Sequence, residues 1–188
     1  MYNDQANAAM FQLIGSHDTI RFLTASKQGG RGWNREDTAL LRMKLAVFFQ
    51  MTYIGIPMIY YGDEVGMEGA TDPDCRRPMI WQQLDQKQVL LTWYKQLIAL
   101  RLSHGVLREG IFRPWFTDET GNVVAYFRRS GKEIMGLIIN NSPNHVQLHV
   151  DRYQAESKVL TDLITGHTIL NSEKIHVEID PFACMMLQ

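Results

Sequence analysis

Cysteine is scarce in this 188-residue chain. Only Cys75 and Cys184 are present, far apart in sequence. That spacing fits neither a disulfide scaffold nor a zinc site, and a reducing, cytoplasmic compartment is the expectation. An excess of charge is also lacking. Nineteen Lys and Arg stand against 20 Asp and Glu, mixed along the chain, for a formal net charge of -1. A nucleic-acid partner usually needs a basic face, and a membrane surface needs a polybasic one, so neither is expected. No apolar run reaches the ~18 residues of a membrane span. Residues 2–7 are polar and the apolar run after them is short, so no signal peptide is expected. There is no internal repeat and no low-complexity segment. The hydrophobic fraction of 45% and charged fraction of 21% are those of an ordinary globular chain, so a core can form.

The first hundred residues read as alternating strands and helices. "NDQANAA" is the end of a short helix. Met10 to Ile14 is a flat apolar run of buried-strand character, closed by Gly15. A turn-rich loop, "KQGGRGWN", follows. "NREDTALLRMKLAVFFQMTY" is the strongest helix, with Asn34 as N-cap and Glu36 and Asp37 in its first turn. Its apolar residues cover over half its circumference, which predicts burial on more than one side. "IPMIYY" reads as a second buried strand. The loop "GDEVGMEGATDPDCRRPMIW" then carries three Asp, two Glu and two Arg. Gln86 to Leu102 reads as a helix with Val89, Leu90, Trp93, Leu97 and Leu100 inward. Buried strands ending in polar loops are the unit of an α/β barrel or a doubly wound sheet. In such folds chemistry gathers at the carboxyl ends of the strands. His17 and Asp18 stand at one such end.

Beyond Gly105 the period changes from helical to alternating. "NVVAYFRRSGKEIMGLIINNS" predicts a hairpin turning at Ser130-Gly131-Lys132. "HVQLHV" and "KIHVEID" alternate as half-buried strands do. "VLTDLITGHTIL" is a strand, a turn at Gly166 and a strand, and "FACMMLQ" is apolar on both faces. Six or seven short strands at close spacing suggest an antiparallel sandwich. The four histidines of this half show no metal spacing and are expected at the surface. Tyr60 and Trp93 are expected in the core, and Trp33 as an exposed aromatic.

Three segments then share one resemblance. "LIGSHDTIRFL" resembles the seventh-strand motif of the alpha-amylase superfamily of glycoside hydrolases. "GIPMIYYGDEVGM" resembles its eighth-strand motif. "DPDCRRPMIW" narrows the likeness to the neopullulanase, cyclomaltodextrinase and maltogenic amylase group. The resemblance implies a fold: residues 1–106 as the C-terminal part of a TIM barrel, strands 7 and 8 with their helices, and 107–188 as an antiparallel β-sandwich. It also implies roles. Asp18 matches the carboxylate that stabilises the transition state, and His17 a histidine bonding the same sugar. Asp72 and Arg76 match a pair gripping a glucosyl unit farther along. Hydrogen bonds to the sugar that tighten in an oxocarbenium-like transition state suit such groups. By the same resemblance Asp63 and Glu64 are structural.

Retaining glycosidases need a nucleophilic carboxylate and an acid/base carboxyl. In this superfamily they lie on strands 4 and 5, upstream of everything quoted. A whole barrel takes ~250 residues. The expected function is therefore the C-terminal part of a retaining α-glucan hydrolase cleaving α-1,4 and perhaps α-1,6 bonds of maltodextrins, cyclodextrins or pullulan, inactive as an isolated chain. The alternative is a non-catalytic maltooligosaccharide-binding or assembly module. No cofactor or metal ligand is expected; a structural calcium is left open, although no oxygen-ligand loop stands out. The expected partners are an α-glucan oligosaccharide and, because two barrel strands leave open edges, a second copy or the complementary N-terminal barrel fragment.

Overall fold

Two tripeptides carry the strand pairing of the first half. In the computed structural model, β1 (Phe11–Leu13) and β2 (Ile56–Met58) run parallel, with Phe11 opposite Ile56, Gln12 opposite Pro57 and Leu13 opposite Met58. The structure describes residues 4–28, 35–82, 88–118, 120, 122–152 and 156–188, without the side chains of 4 and 35–37. Trp33, the Asn34 cap and the side chains of Glu36 and Asp37 lie outside the described residues. The chain divides into two compact units, Met1–Ser103 and His104–Gln188.

In the first unit the order is α1 (Asp4–Ala8), β1, α2 (Phe22–Gln28), α3 (Arg35–Thr52), β2 and α4 (Gln88–Ser103), with 3-10 turns at Asp63–Val65 and Asp74–Arg76 between the last two. α3 is built largely from Leu, Met, Ala, Lys and Arg, which lose little freedom in a helix. It buries Met43, Val47, Phe48 and Met51, each contributing roughly 1.5–3 kcal/mol of apolar burial. The helix ends before Gly55, whose φ of +113° suits glycine and whose Cβ, if present, would lie 2.7 Å from the Met10 carbonyl. Arg101 of α4 closes this end, donating to the carbonyls of Met51 and Gly55 at 2.7 Å each. The Met51 carbonyl is one of the orphan acceptors that a helix terminus leaves, and Gly55 lies in the turn that follows. Gln50 of α3 donates to the carbonyls of Gln12 and Met58, tying the helix to both strands.

The strands were expected to be buried, yet Phe11 is 65% exposed and Leu13 52%, and Ile56 and Met58 on the same face are exposed too. A two-stranded ladder has two open edges, and among the described residues no third strand extends it. The inward face of α4 holds Leu90, Trp93, Tyr94 and Leu97, but Val89 points to solvent. α3 likewise leaves Leu40, Leu41 and Phe49 partly uncovered. Trp93 is in the core as expected, donating to the Lys44 carbonyl at 3.0 Å.

The second unit opens with α5 (Gly105–Glu109) and continues with eight strands among the described residues: β3 (Ile111–Thr117), β4 (Val123–Ser130), β5 (Glu133–Asn140), β6 (Val146–Asp151), β7 (Val159–Thr161), β8 (Thr168–Leu170), β9 (Lys174–Ile179) and β10 (Cys184–Leu187). The antiparallel order β10-β5-β4-β3 makes the larger sheet, and β6-β9 and β7-β8 pair separately. β4 and β5 form the expected hairpin, with Gly131 at φ +58° in its turn. Alternation decides the packing: Val150, Ile175, Val177 and Ile179 face inward onto Val123, Ala125 and Ile138 of the larger sheet. β5 and β10 are buried almost throughout. Asn140 ends β5 in the interior. Its amide donates to the carbonyls of Asn144 and Asp180 at 2.9 Å, and its oxygen accepts from Ser142 N and Oγ. The histidines at 145, 149, 167 and 176 are all exposed. No helix among the described residues is long and apolar enough to cross a membrane.

Candidate functional site

Two residues past β1, Gly15 packs so close to Asp63 that a Cβ there would sit 2.6 Å from Asp63 Oδ2. Ser16 then shapes the turn, its Oγ accepting from Asp18 N at 3.2 Å and lying 3.3 Å from Thr19 Oγ1. His17 and Asp18 emerge at the carboxyl end of the strand, 61% and 69% exposed, with Nε2 and Oδ1 3.2 Å apart. The loop after β2 arrives from the other side. Arg76 places Nη2 3.4 Å from Asp18 Oδ1 and Nε 2.7 Å from Asp72 Oδ1. The same Nε donates to the His17 carbonyl at 3.1 Å. All four residues expected at the site thus meet in one polar cluster, from segments more than fifty positions apart.

Those surface pairs do not hold themselves in place. Exposed ion pairs contribute about 0–1 kcal/mol each. The cluster rests instead on a buried layer, in which the structural place expected for Asp63 was foreseen and Arg21 was missed. Arg21, wholly buried, donates through Nη1 to Asp63 Oδ1 at 3.0 Å and to the Tyr61 carbonyl at 2.9 Å. Its Nε donates to the Cys75 carbonyl at 3.0 Å, where the Tyr60 hydroxyl also donates. The Tyr60 and Tyr61 rings flank the guanidinium at 4.5 and 5.0 Å from their centroids, a cation–π arrangement. Nη2 is left without a partner among the described residues. The Cys75 thiol donates to the His17 carbonyl at 3.1 Å, and the Tyr61 hydroxyl to the Arg77 carbonyl at 2.9 Å. Loop 72–77 is thereby fastened to residues 17–21 through main-chain acceptors. One signal was available: Arg21 stands alone between Ile20 and Phe22 in an otherwise apolar run.

Electrostatics separate the two layers. Burial pushes the Asp63 carboxyl up to about 6, against the opposing pull of Arg21, and Glu64 adds to the rise. At the surface, Asp74 is held below the ordinary carboxylate range by the Ala70 amide and then by Arg77. This fixes the turn that presents Arg76. Two carboxylates around one guanidinium, beside an imidazole, offer acceptors and donors to a neutral polyhydroxyl ligand. Trp81 is 71% exposed, while Tyr60 is half-buried over Arg21. No group of three His, Cys, Asp or Glu able to hold a metal ion occurs among the described residues.

Comparison with known proteins gives this geometry a context. Residues 1–110 match the alpha amylase catalytic domain model. The chain is 38% identical over 188 residues to neopullulanase 2 of Thermoactinomyces vulgaris, covering all of this chain and 30% of that protein. It is 41% identical over 158 residues to a cyclomaltodextrinase of Thermoanaerobacter pseudethanolicus, covering 84% of this chain and 25% of that one. A solved structure named cyclomaltodextrinase superposes with a TM-score of 0.85 at 30% identity, covering 100% of this chain and 31% of its own. The chain therefore spans less than a third of the length of these relatives, and it aligns with their C-terminal part. It is a partial TIM barrel followed by a β-sandwich, and it belongs to the alpha-amylase family.

Proposed function

We propose that this chain forms one wall of the substrate cleft of a retaining α-glucan hydrolase. In this reading Asp18 accepts hydrogen bonds from sugar hydroxyls and stabilises the oxocarbenium-like transition state. His17 donates to the same sugar ring, and Asp72 with Arg76 brackets a neighbouring glucosyl unit. The observation that carries the reading is the convergence of these four side chains at the carboxyl ends of two parallel strands. The nucleophile and the acid/base carboxyl belong to barrel strands other than these two. The chain alone is then inactive, and the assembled enzyme acts on maltodextrins or on the pullulan and cyclomaltodextrins that its relatives' names point to.

The test is complementation. The 188-residue chain alone is expected to release no reducing sugar from β-cyclodextrin. Joined to the six preceding strands of a relative, it is expected to hydrolyse the substrate with retention. Asp18→Asn in that assembly should lower kcat by at least about 100-fold, as removal of one preorganised transition-state contact does. Undiminished turnover in Asp18→Asn would refute the role. A second reading, a non-catalytic maltooligosaccharide-binding module, draws on the fact that the cluster forms wholly within this chain. Calorimetric titration with maltotriose separates the two: saturable heat without hydrolysis, abolished by Asp18→Ala, favours the binding module.

A further inference from the structure

The larger sheet of the second unit is not covered along its whole inner face. On that face an open cavity of about 290 Å³ is lined by Arg113, Pro114, Phe127, Arg129 and Ile134. The strand register explains the lining. Arg113 is opposite Phe127, and Arg129 is opposite both Ile111 and Ile134. The two arginines are therefore diagonal neighbours on one face, with Cα atoms ~7–8 Å apart. Trp115 stacks on Phe127 with centroids 4.5 Å apart and fixes the ring as a wall. Arg128, on the opposite face, is buried and donates twice to the Gly110 carbonyl. Arg113 and Arg129 have no such outlet. Among the described residues, each makes only a long bond to a nearby carbonyl, of Phe112 at 3.3 Å and of Gly131 at 3.4 Å. Neither pairs with a carboxylate among the described residues.

We propose that this cavity binds a small phosphate monoester of hexose size. Two adjacent, exposed guanidinium groups without a counter-charge call for a dianion. A phosphate monoester carries about -1.5 to -2 charge at pH 7 and three acceptor oxygens, which the planar forks of two arginines match. Phe127, Pro114 and Ile134 supply an apolar wall for the C–H faces of the ester's body. A volume near the lower end of ligand sites, ~300–1,000 Å³, suits a sugar phosphate and not a nucleotide or an oligosaccharide. The site lies wholly within the second unit and does not depend on the glucan reading.

The test is calorimetric titration of the intact chain with glucose 6-phosphate, inorganic phosphate and glucose. Saturable binding of glucose 6-phosphate is expected, at least about fivefold tighter than inorganic phosphate, with no heat from glucose. Arg113→Gln and Arg129→Gln are each expected to weaken binding by about tenfold or more with the melting temperature unchanged. Arg113→Lys, which keeps the charge and loses the fork, is expected between wild type and Arg113→Gln. Asp18→Ala should leave this binding unaltered while abolishing any maltotriose heat. The proposal is overturned by no saturation up to about 10 mM, by equal affinity in the double Gln variant, or by inorganic phosphate or glucose binding as tightly as the ester.

Discussion

At Asp63 two forces act on one proton. Burial favours the neutral acid, Arg21 favours the anion, and burial wins, raising the group from 3.8 to about 6. The sign follows from linkage. Between about pH 4 and 6 the folded state keeps a proton that the unfolded chain has released, so folding stability falls as pH rises through that window. Two pH units correspond to about 3 kcal/mol for a single group. Asp63→Asn, which stays neutral, is expected to lose this component of the slope and to gain stability relative to wild type as pH rises from 4 to 7. Urea denaturation at a series of pH values measures it; parallel profiles for the two proteins would show that Asp63 is not the group. Gly15 belongs to the same knot. Gly15→Ala would drive a methyl to 2.6 Å from Asp63 Oδ2 and is expected to cost about 1–3 kcal/mol by overpacking, seen as a lower urea midpoint.

At the scale of elements, alternation carried the most information. The strands β6 and β9 were legible because each inward residue is apolar and each outward one polar, a pattern that only a half-buried strand needs, and the hairpin at Gly131 was legible from two apolar runs joined by Ser-Gly-Lys. The clustering of His17, Asp18, Asp72 and Arg76 was legible because their motifs keep characteristic residues together. The fate of Phe11 and Leu13 was not. Their apolar character shows what those positions would bury, and it does not reveal whether a neighbour exists to bury them. Arg21 and Asn140 were missed for the opposite reason, being polar residues whose burial depends on carbonyls brought from distant segments. Asn140 gives a direct check. Its amide and oxygen satisfy groups at Ser142, Asn144 and Asp180 inside the sandwich, and unpaired buried groups cost about 1–3 kcal/mol each. Asn140→Ala is expected to destabilise the second unit by about 2–4 kcal/mol and to lower its melting transition, while the Asp63-linked pH slope of the first unit persists.

At the scale of the molecule, the first unit exposes the face formed by Phe11, Leu13, Ile56 and Met58. The same ladder leaves main-chain donors and acceptors at its open edges. The chain is expected to self-associate as its concentration rises, or to take up the complementary part of a barrel. Sedimentation velocity over a hundredfold concentration range should show a shifting distribution, and Phe11→Glu with Ile56→Lys should reduce it to monomer. A wild-type chain that sediments as a single monomer and leaves ANS dark would count against the expectation.

The Cys75 sulfur is fully buried beneath the cluster, its hydrogen shared with the His17 carbonyl. An alkylating reagent can meet that sulfur only when loop 72–77 lifts away from residues 17–21. The speed at which iodoacetamide consumes Cys75 is thus a clock for parting of loop 72–77 from residues 17–21. A saccharide spanning Asp18 and Arg76 should slow that clock, while Arg21→Lys, with fewer anchors to the loop, should make it run fast.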